Sequence, residues 1–131
     1  MKELRHQVLT KAILRAFYKV YSTLGYGFLE KVYKNALILE LRKSALEVAV
    51  EQQIRIHYRG VGIGDYFADI IVARAVIVEV KACEAIADAH ETQLLNYLMA
   101  TNIEVGLLLN FGPQPRFKRK ILTHDRKKRN P

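Results

Sequence analysis

A single cysteine, Cys83, occurs in the 131 residues, so no internal disulfide can form and a reducing cytoplasm is the expected setting. No apolar run approaches the length needed to cross a membrane, so no membrane association is expected. The first residues, MKELRHQVLTKAILRAFYKV, are charged and periodic; they lack the uninterrupted apolar stretch and cleavage site of a signal peptide. The four histidines, His6, His57, His90 and His124, have no zinc-like spacing. Internal repeats are missing, and low complexity is confined to the basic C-terminal end. No helix-turn-helix, zinc finger or aromatic RNA-binding motif is recognisable, which argues against a sequence-specific reader of nucleic acid.

Half of the residues are hydrophobic, enough for the core of one compact domain, expected over residues 1–122 with a basic tail at 123–131. The net charge of +8 is unevenly distributed. Residues 1–21 hold five Lys/Arg against one Glu, and residues 116–131 hold eight against one Asp. Between them, eight Lys/Arg face eleven Asp/Glu. Basic ends around a slightly acidic middle point to a polyanionic partner, nucleic acid first among them. A solvated, solubilising tail is the plain alternative for the last six residues, RKKRNP.

Helical spacing runs through residues 3–22, in Leu4, Val8, Ala12, Ala16 and Val20 with Ile13 and Phe17 beside them. STLGYG breaks it, and the period resumes over 28–44. LEVAVEQQIRIHY alternates as a strand does, and RGVGIGD predicts a glycine-rich turn. Strands are expected at about 65–73 and 75–82. A helix follows from Asp88, a suitable N-cap, then a buried strand in IEVGLLLNF and a last basic strand in RFKRKILT. The order α-α-β-β-β-α-β-β predicts an α/β (α+β) domain, a mixed sheet flanked by helices.

Three stretches need a chemical explanation. FADIIVARAVIVEVKA sets Asp69, Glu79 and Lys81 into apolar strands. Glu79 and Lys81 share a strand face, and a short connection makes Asp69's strand an antiparallel neighbour. Two bare carboxylates about 4 Å apart repel by roughly 4 kcal/mol at an effective dielectric near 20. A proton or Lys81 can offset that, and a divalent cation does so best; hard oxygen donors select Mg²⁺ or Mn²⁺. A lone E-x-K is satisfied by a salt bridge, but the Asp on the preceding strand favours a site. In GFLEKVY, Glu30 and Tyr33 are neighbours on a helix, where a first-turn Glu also suits the helix dipole. In QLLNY, Gln93 and Tyr97 face the same way, beside an apolar stripe whose edge they can also simply occupy.

Together these motifs resemble the GxxExxY proteins of the PD-(D/E)XK nuclease superfamily. The likeness runs from about residue 8 to 122: Gly27-x-x-Glu30-x-x-Tyr33, then ALILELRKSALEV, YFADIIVARAVIVEVKA and QLLNYLMATNIEVGLLLNFG, in order. It implies a restriction-endonuclease-like core of order α-β-β-β-α-β. It matches Asp69 to the motif Asp, Glu79-Val80-Lys81 to (D/E)-x-K, and Gln93 and Tyr97 to a Q-x-x-x-Y motif of RecB-type nucleases. Tyr21 stands where the family usually has His, Tyr26 where it usually has Pro, and Ala68 where Pro often precedes the motif Asp.

The implied function is metal-dependent hydrolysis of phosphodiester bonds in nucleic acid, DNA favoured. Asp69, Glu79, the Val80 carbonyl and Glu30 are the expected Mg²⁺ (or Mn²⁺) ligands. Lys81 is expected to act on the attacking water or the charged phosphorus, with Gln93 and Tyr97 positioning substrate or lysine. Arg116, Lys118, Arg119 and Lys120 are expected to hold flanking phosphates, as is the basic first helix. A homodimer is one expected assembly, since cutting two strands needs two sites. The alternatives are a non-catalytic nucleic-acid-binding module of the same fold, a small interaction protein with an acidic partner, and an endonuclease like the Holliday-junction resolvases.

Overall fold

In a computed structural model, residues 2–127 of the chain are described, with side chains from His6 onward. The last four residues of the expected basic tail, 128–131, lie outside the described residues, as do the side chains of Lys2 and Arg5 on the basic first helix. Two helices, α1 (Lys2–Leu24) and α2 (Glu30–Lys43), precede a β-meander of β1 (Val48–Tyr58), β2 (Val61–Val72) and β3 (Val76–Lys81). Helix α3 (Asp88–Met99) crosses to β4 (Val105–Phe111), and β5 (Pro115–Ile121) closes the sheet. The five strands lie in sequence order; β3 and β4 are parallel and every other pair is antiparallel. This is the expected order α-α-β-β-β-α-β-β, and from α2 to β4 it contains the expected α-β-β-β-α-β core.

Alternation along the strands sends apolar side chains to both faces, so the sheet needs a cover on each. Val76, Val78 and Val80 of β3 pack with α1 and α2, through Ile13, Phe17, Tyr33 and Leu37. Ile77 of β3 and Leu108 of β4 pack with α3, through Leu94, Tyr97 and Leu98. The inward stripe of α1 is Leu9, Ile13, Ala16, Phe17 and Val20, while Val8 is 60% exposed. It is therefore rotated from the stripe through Val8 and Ala12 that the spacing predicts. Within α2 the buried residues are Tyr33, Leu37, Ile38 and Leu41, and Val32 points to solvent.

The α1–α2 connection depends on Gly25 and Gly27, both in the left-handed region at φ 68° and 119°. Helix α2 has no side-chain N-cap. Tyr33 secures this end of the helix instead, with a hydroxyl that donates to the Gly25 carbonyl and accepts the Phe28 N–H. Its ring stacks on Phe111 at 4.5 Å between centroids. Tyr21 also has a structural post, donating to the Gly112 and Pro113 carbonyls, which lie 2.8 and 3.0 Å away.

Several expected boundaries are corrected. RGVGIGD is not a turn throughout: only Arg59 and Gly60 turn, both at positive φ, and β2 has already begun at Val61. Gly62 and Gly64 therefore lie in the strand. Ile63 between them has no partner across the hairpin, because His57 pairs with Gly62 and Ile56 with Gly64. This one-residue bulge shifts the whole β1–β2 register. Asp88 is not the cap of α3 but its first residue; His90 Nδ1 reaches back to accept the Ala87 N–H at 3.1 Å. Past β5 the chain stays on the domain. Buried Glu104 accepts the His124 N–H, and the Lys127 ammonium donates to the Thr101 and Ile103 carbonyls.

Candidate metal and nucleic-acid site

The site is built where β2 parts from β3. Pairing runs over Ile70–Val72 against Val76–Val78 and stops one residue short of Asp69 and Glu79. Beyond that point the two strands leave backbone amides that lack partners in the ladder, and each must be satisfied another way. The two carboxylates do this reciprocally. Glu79 Oε2 accepts the Asp69 N–H at 2.7 Å, and Asp69 Oδ2 accepts the Val80 N–H at 2.9 Å. Apolar β3 thus places Glu79 at 4% exposure beneath α3, while Val78 and Val80 face α1 and α2 as the alternation requires.

Burial penalises the Glu79 anion, and the Asp69 charge adds to that. The Asp69 N–H bond, Lys81 and Lys34 work in the opposite sense and are outweighed, so the carboxyl is pushed up to about 8. At neutral pH Glu79 therefore holds its proton when no other cation is near. Tyr97, on α3 above it, is pushed up to about 12 by burial and by the charges of Glu79 and Asp69. Its hydroxyl is a standing donor. Gln93, one turn earlier on α3, is half-buried, as is Lys81 at the end of β3.

On the α2 side, Asp69 opens into a cavity of about 390 Å³. Glu30 lines it, together with Lys31, Lys34, Asn35, Val50 and Glu51. Glu30 is exposed at the first residue of α2, while Tyr33 from the same motif turns into the core. Of the four expected metal ligands, Asp69, Glu79 and Val80 are joined by hydrogen bonds and Glu30 stands across the cavity. No group of three or more His, Cys, Asp or Glu side chains among the described residues is gathered as a metal cluster. An ammonium lies there instead: Lys34 Nζ is 3.5 Å from Asp69 Oδ1 and 2.9 Å from Glu51 Oε1. Burial works against the Lys34 charge, but the Glu51 hydrogen bond and the Asp69 charge outweigh it and raise its pKa.

Lys34 and Glu51 are the site residues that sequence reasoning missed. Lys34 had a signal, since it lies one turn after Glu30 on the same side of the helix. Glu51 had none. Only the bulge at Ile63 brings it level with Asp69, between the pairs Val50–Ile70 and Gln52–Ala68.

The expected phosphate contacts divide. Arg116, Lys118 and Arg119 on edge strand β5 are exposed, whereas Lys120 is held 2.6 Å from Glu91 of α3. That ion pair puts the even-numbered residues of β5 on the α3 side, which is also Glu79's side. Across the sheet, Lys81 is level with Asn110, and Asn110 with Arg116. Two strand spacings, about 9–10 Å, therefore separate Lys81 from Arg116 along one end of the sheet. On α1, Lys11, Arg15 and Lys19 are exposed on the opposite layer, with Lys19 paired to Glu40 at 3.3 Å.

A mixed five-stranded sheet between helical layers, with an Asp and an E-x-K at the parting of its second and third strands, is the arrangement that defines one class of nuclease folds. The PD-(D/E)XK nuclease superfamily model matches residues 7–121, and the chain belongs to that superfamily. A search of the curated proteins returns no match, and neither does a search of the solved structures. PD-(D/E)XK nucleases generally use divalent metal ions. The donors here suit such an ion: all are hard oxygens, and the Asp69 and Glu79 carboxylates are brought together by their reciprocal bonds to each other's strand. No helix among the described residues is long and apolar enough to cross a membrane.

Proposed function

We propose that this chain is a metal-dependent nuclease of the GxxExxY kind, hydrolysing phosphodiester bonds of nucleic acid, with DNA the favoured substrate. One observation carries the reading: Asp69 and Glu79 cap each other's strand at the parting of β2 and β3, which sets two carboxylates side by side, with Glu79 pushed up to about 8 by burial and by the Asp69 charge. Asp69, Glu79 and the Val80 carbonyl would hold Mg²⁺ or Mn²⁺, with Glu30 closing from across the cavity. The bound ion supplies Lewis acidity at a phosphate oxygen and an acidified water.

The chain's own residues do the rest. Lys81, beside Glu79, orients the water or steadies the charge that grows on phosphorus. Tyr97 stays protonated at any physiological pH and donates a hydrogen bond; Gln93 offers an amide on the same side of α3. Arg116 and Lys118 hold flanking phosphates on the Lys81 side of the sheet, and Arg119 serves the opposite side. Lys120 is committed to Glu91 and takes little part. A cytoplasmic location rests on the lone cysteine, and a homodimer on the need for two cuts in a duplex. Within the enzyme class, a resolvase-like endonuclease is the nearest rival.

The test is calorimetric titration of Mg²⁺ and Mn²⁺ into wild type and the Asp69→Ala/Glu79→Ala variant, with mixed DNA and RNA substrates incubated alongside. Metal binding and cleavage are expected in the wild type, and both are lost in the variant. A second reading, a nucleic-acid-binding module without turnover, has the Lys34–Asp69 ion pair in its favour, since an ammonium already answers the Asp69 charge. Tight nucleic-acid binding that needs neither metal nor the two carboxylates would replace the nuclease reading with that one.

A further inference from the structure

We propose that Lys34 is a resident cation of the site, which a divalent ion must displace from Asp69, and that Glu51 is the anchor to which Lys34 then retires. This rests on the metal-dependent reading above and adds a control to it. The Lys34 side chain is 13% exposed and bridges two carboxylates, at 2.9 Å to Glu51 and 3.5 Å to Asp69. It enters the cavity lined by Glu30, one turn ahead of it on α2. Asp69 Oδ2 is engaged by the Val80 N–H, so Oδ1 is the oxygen turned to the cavity, and that is the atom Lys34 occupies.

Glu51, the partner of Lys34, stands at an irregular point of its strand. It sits inside β1 at φ 50°, a region that a non-glycine residue enters only when the surroundings force it. The bulge at Ile63 sets Glu51 level with Asp69. Two independent irregularities of the hairpin thus converge on one ammonium. A dication and an ammonium on the same Asp69 oxygen repel each other. Because the Glu51 contact is the shorter one, Lys34 can surrender Asp69 and remain paired. Metal affinity is then set by the partition of Lys34 between two carboxylates.

The experiment is a calorimetric Mn²⁺ titration of the whole chain without nucleic acid, comparing wild type with Lys34→Met, Glu51→Gln, their double variant and Lys31→Met. Lys34→Met keeps the length and loses the charge; it should bind Mn²⁺ roughly tenfold tighter, about 1.4 kcal/mol. Lys31 is exposed in the same cavity and controls for general electrostatics; its variant should stay within about twofold of wild type. Glu51→Gln should weaken binding, because Lys34 then leans on Asp69 alone. In the double variant that loss should vanish, since Glu51 acts only through Lys34. A silent wild type beside a binding Lys34→Met also supports the proposal. Wild-type binding with no gain in Lys34→Met, or an equal gain in Lys31→Met, overturns it and leaves the metal-dependent reading standing. No binding by any variant removes both. If Lys34→Met does not fold, Glu51→Gln decides: unchanged or tighter binding overturns the proposal.

Discussion

At Glu79 the sign of the pH dependence follows from which state keeps the proton. The carboxyl titrates near 4.5 when unfolded and about 8 in the native protein. Between those values the native state holds a proton that the unfolded chain has released. The stabilising contribution is therefore complete below pH 4.5, declines as pH rises and is gone above 8, at up to roughly 1.4 kcal/mol per pH unit. Chemical denaturation of the metal-free protein from pH 5 to 8 should show this fall, and Glu79→Gln should flatten it. Equal slopes in the two proteins would mean that Glu79 is ionised throughout. Saturating Mn²⁺ should also flatten the wild-type curve if the ion binds the ionised carboxylate.

Helix α3 is the element that sets Gln93 and Tyr97 over the site, and its height above the sheet is fixed at Gly106. A Cβ on Gly106 would meet Leu94 Cδ1 at 2.7 Å and Cγ at 2.9 Å. Gly106→Ala should force the helix outward, or Leu94 from its rotamer, at about 1–3 kcal/mol. A thermal melt should record a loss of several degrees. On the nuclease reading proposed above, cleavage should fall further than the lost stability explains, because Gln93 and Tyr97 move with the helix. A variant as stable as wild type would show that Leu94 repacks freely and that α3 is not held at Gly106. At the far side of α3, the Lys120–Glu91 ion pair ties the helix to β5.

The whole molecule carries its positive charge at both ends of the chain, and the sheet decides which of those charges reach the site. Arg116 is level with Lys81 on the α3 side, whereas Arg119, one face over, is not. On the nuclease reading proposed above, Arg116→Ala should weaken DNA binding more than Arg119→Ala. It should also lower the slope of log K against log salt by about one unit, as the loss of one phosphate contact does. Fluorescence anisotropy at several salt concentrations reads both quantities. Equal losses would mean that the nucleic acid takes no preferred path across the end of the sheet.

Composition and pattern by themselves determined the class of fold, because hydrophobic periodicity switches from helical to alternating and back in an order that few architectures accept. They also marked Asp69, Glu79 and Lys81, since charge is costly in an apolar strand and stands out there. The inward stripe of α1 was misread by a fraction of a turn, because a helix apolar on more than one side does not announce which side is covered. The boundary of the β1–β2 turn was misread because glycine marks a bulge as readily as a turn. That bulge at Ile63, invisible as a pattern, moves the register by one residue and sets Glu51 beside Asp69. Pairing across strands also separated Arg119 from Arg116, which are the same letter. Local propensity and alternation act over a few residues and are written along the chain. Register and the approach of α2 to the sheet are set by contacts between distant segments, and only the folded structure decides them.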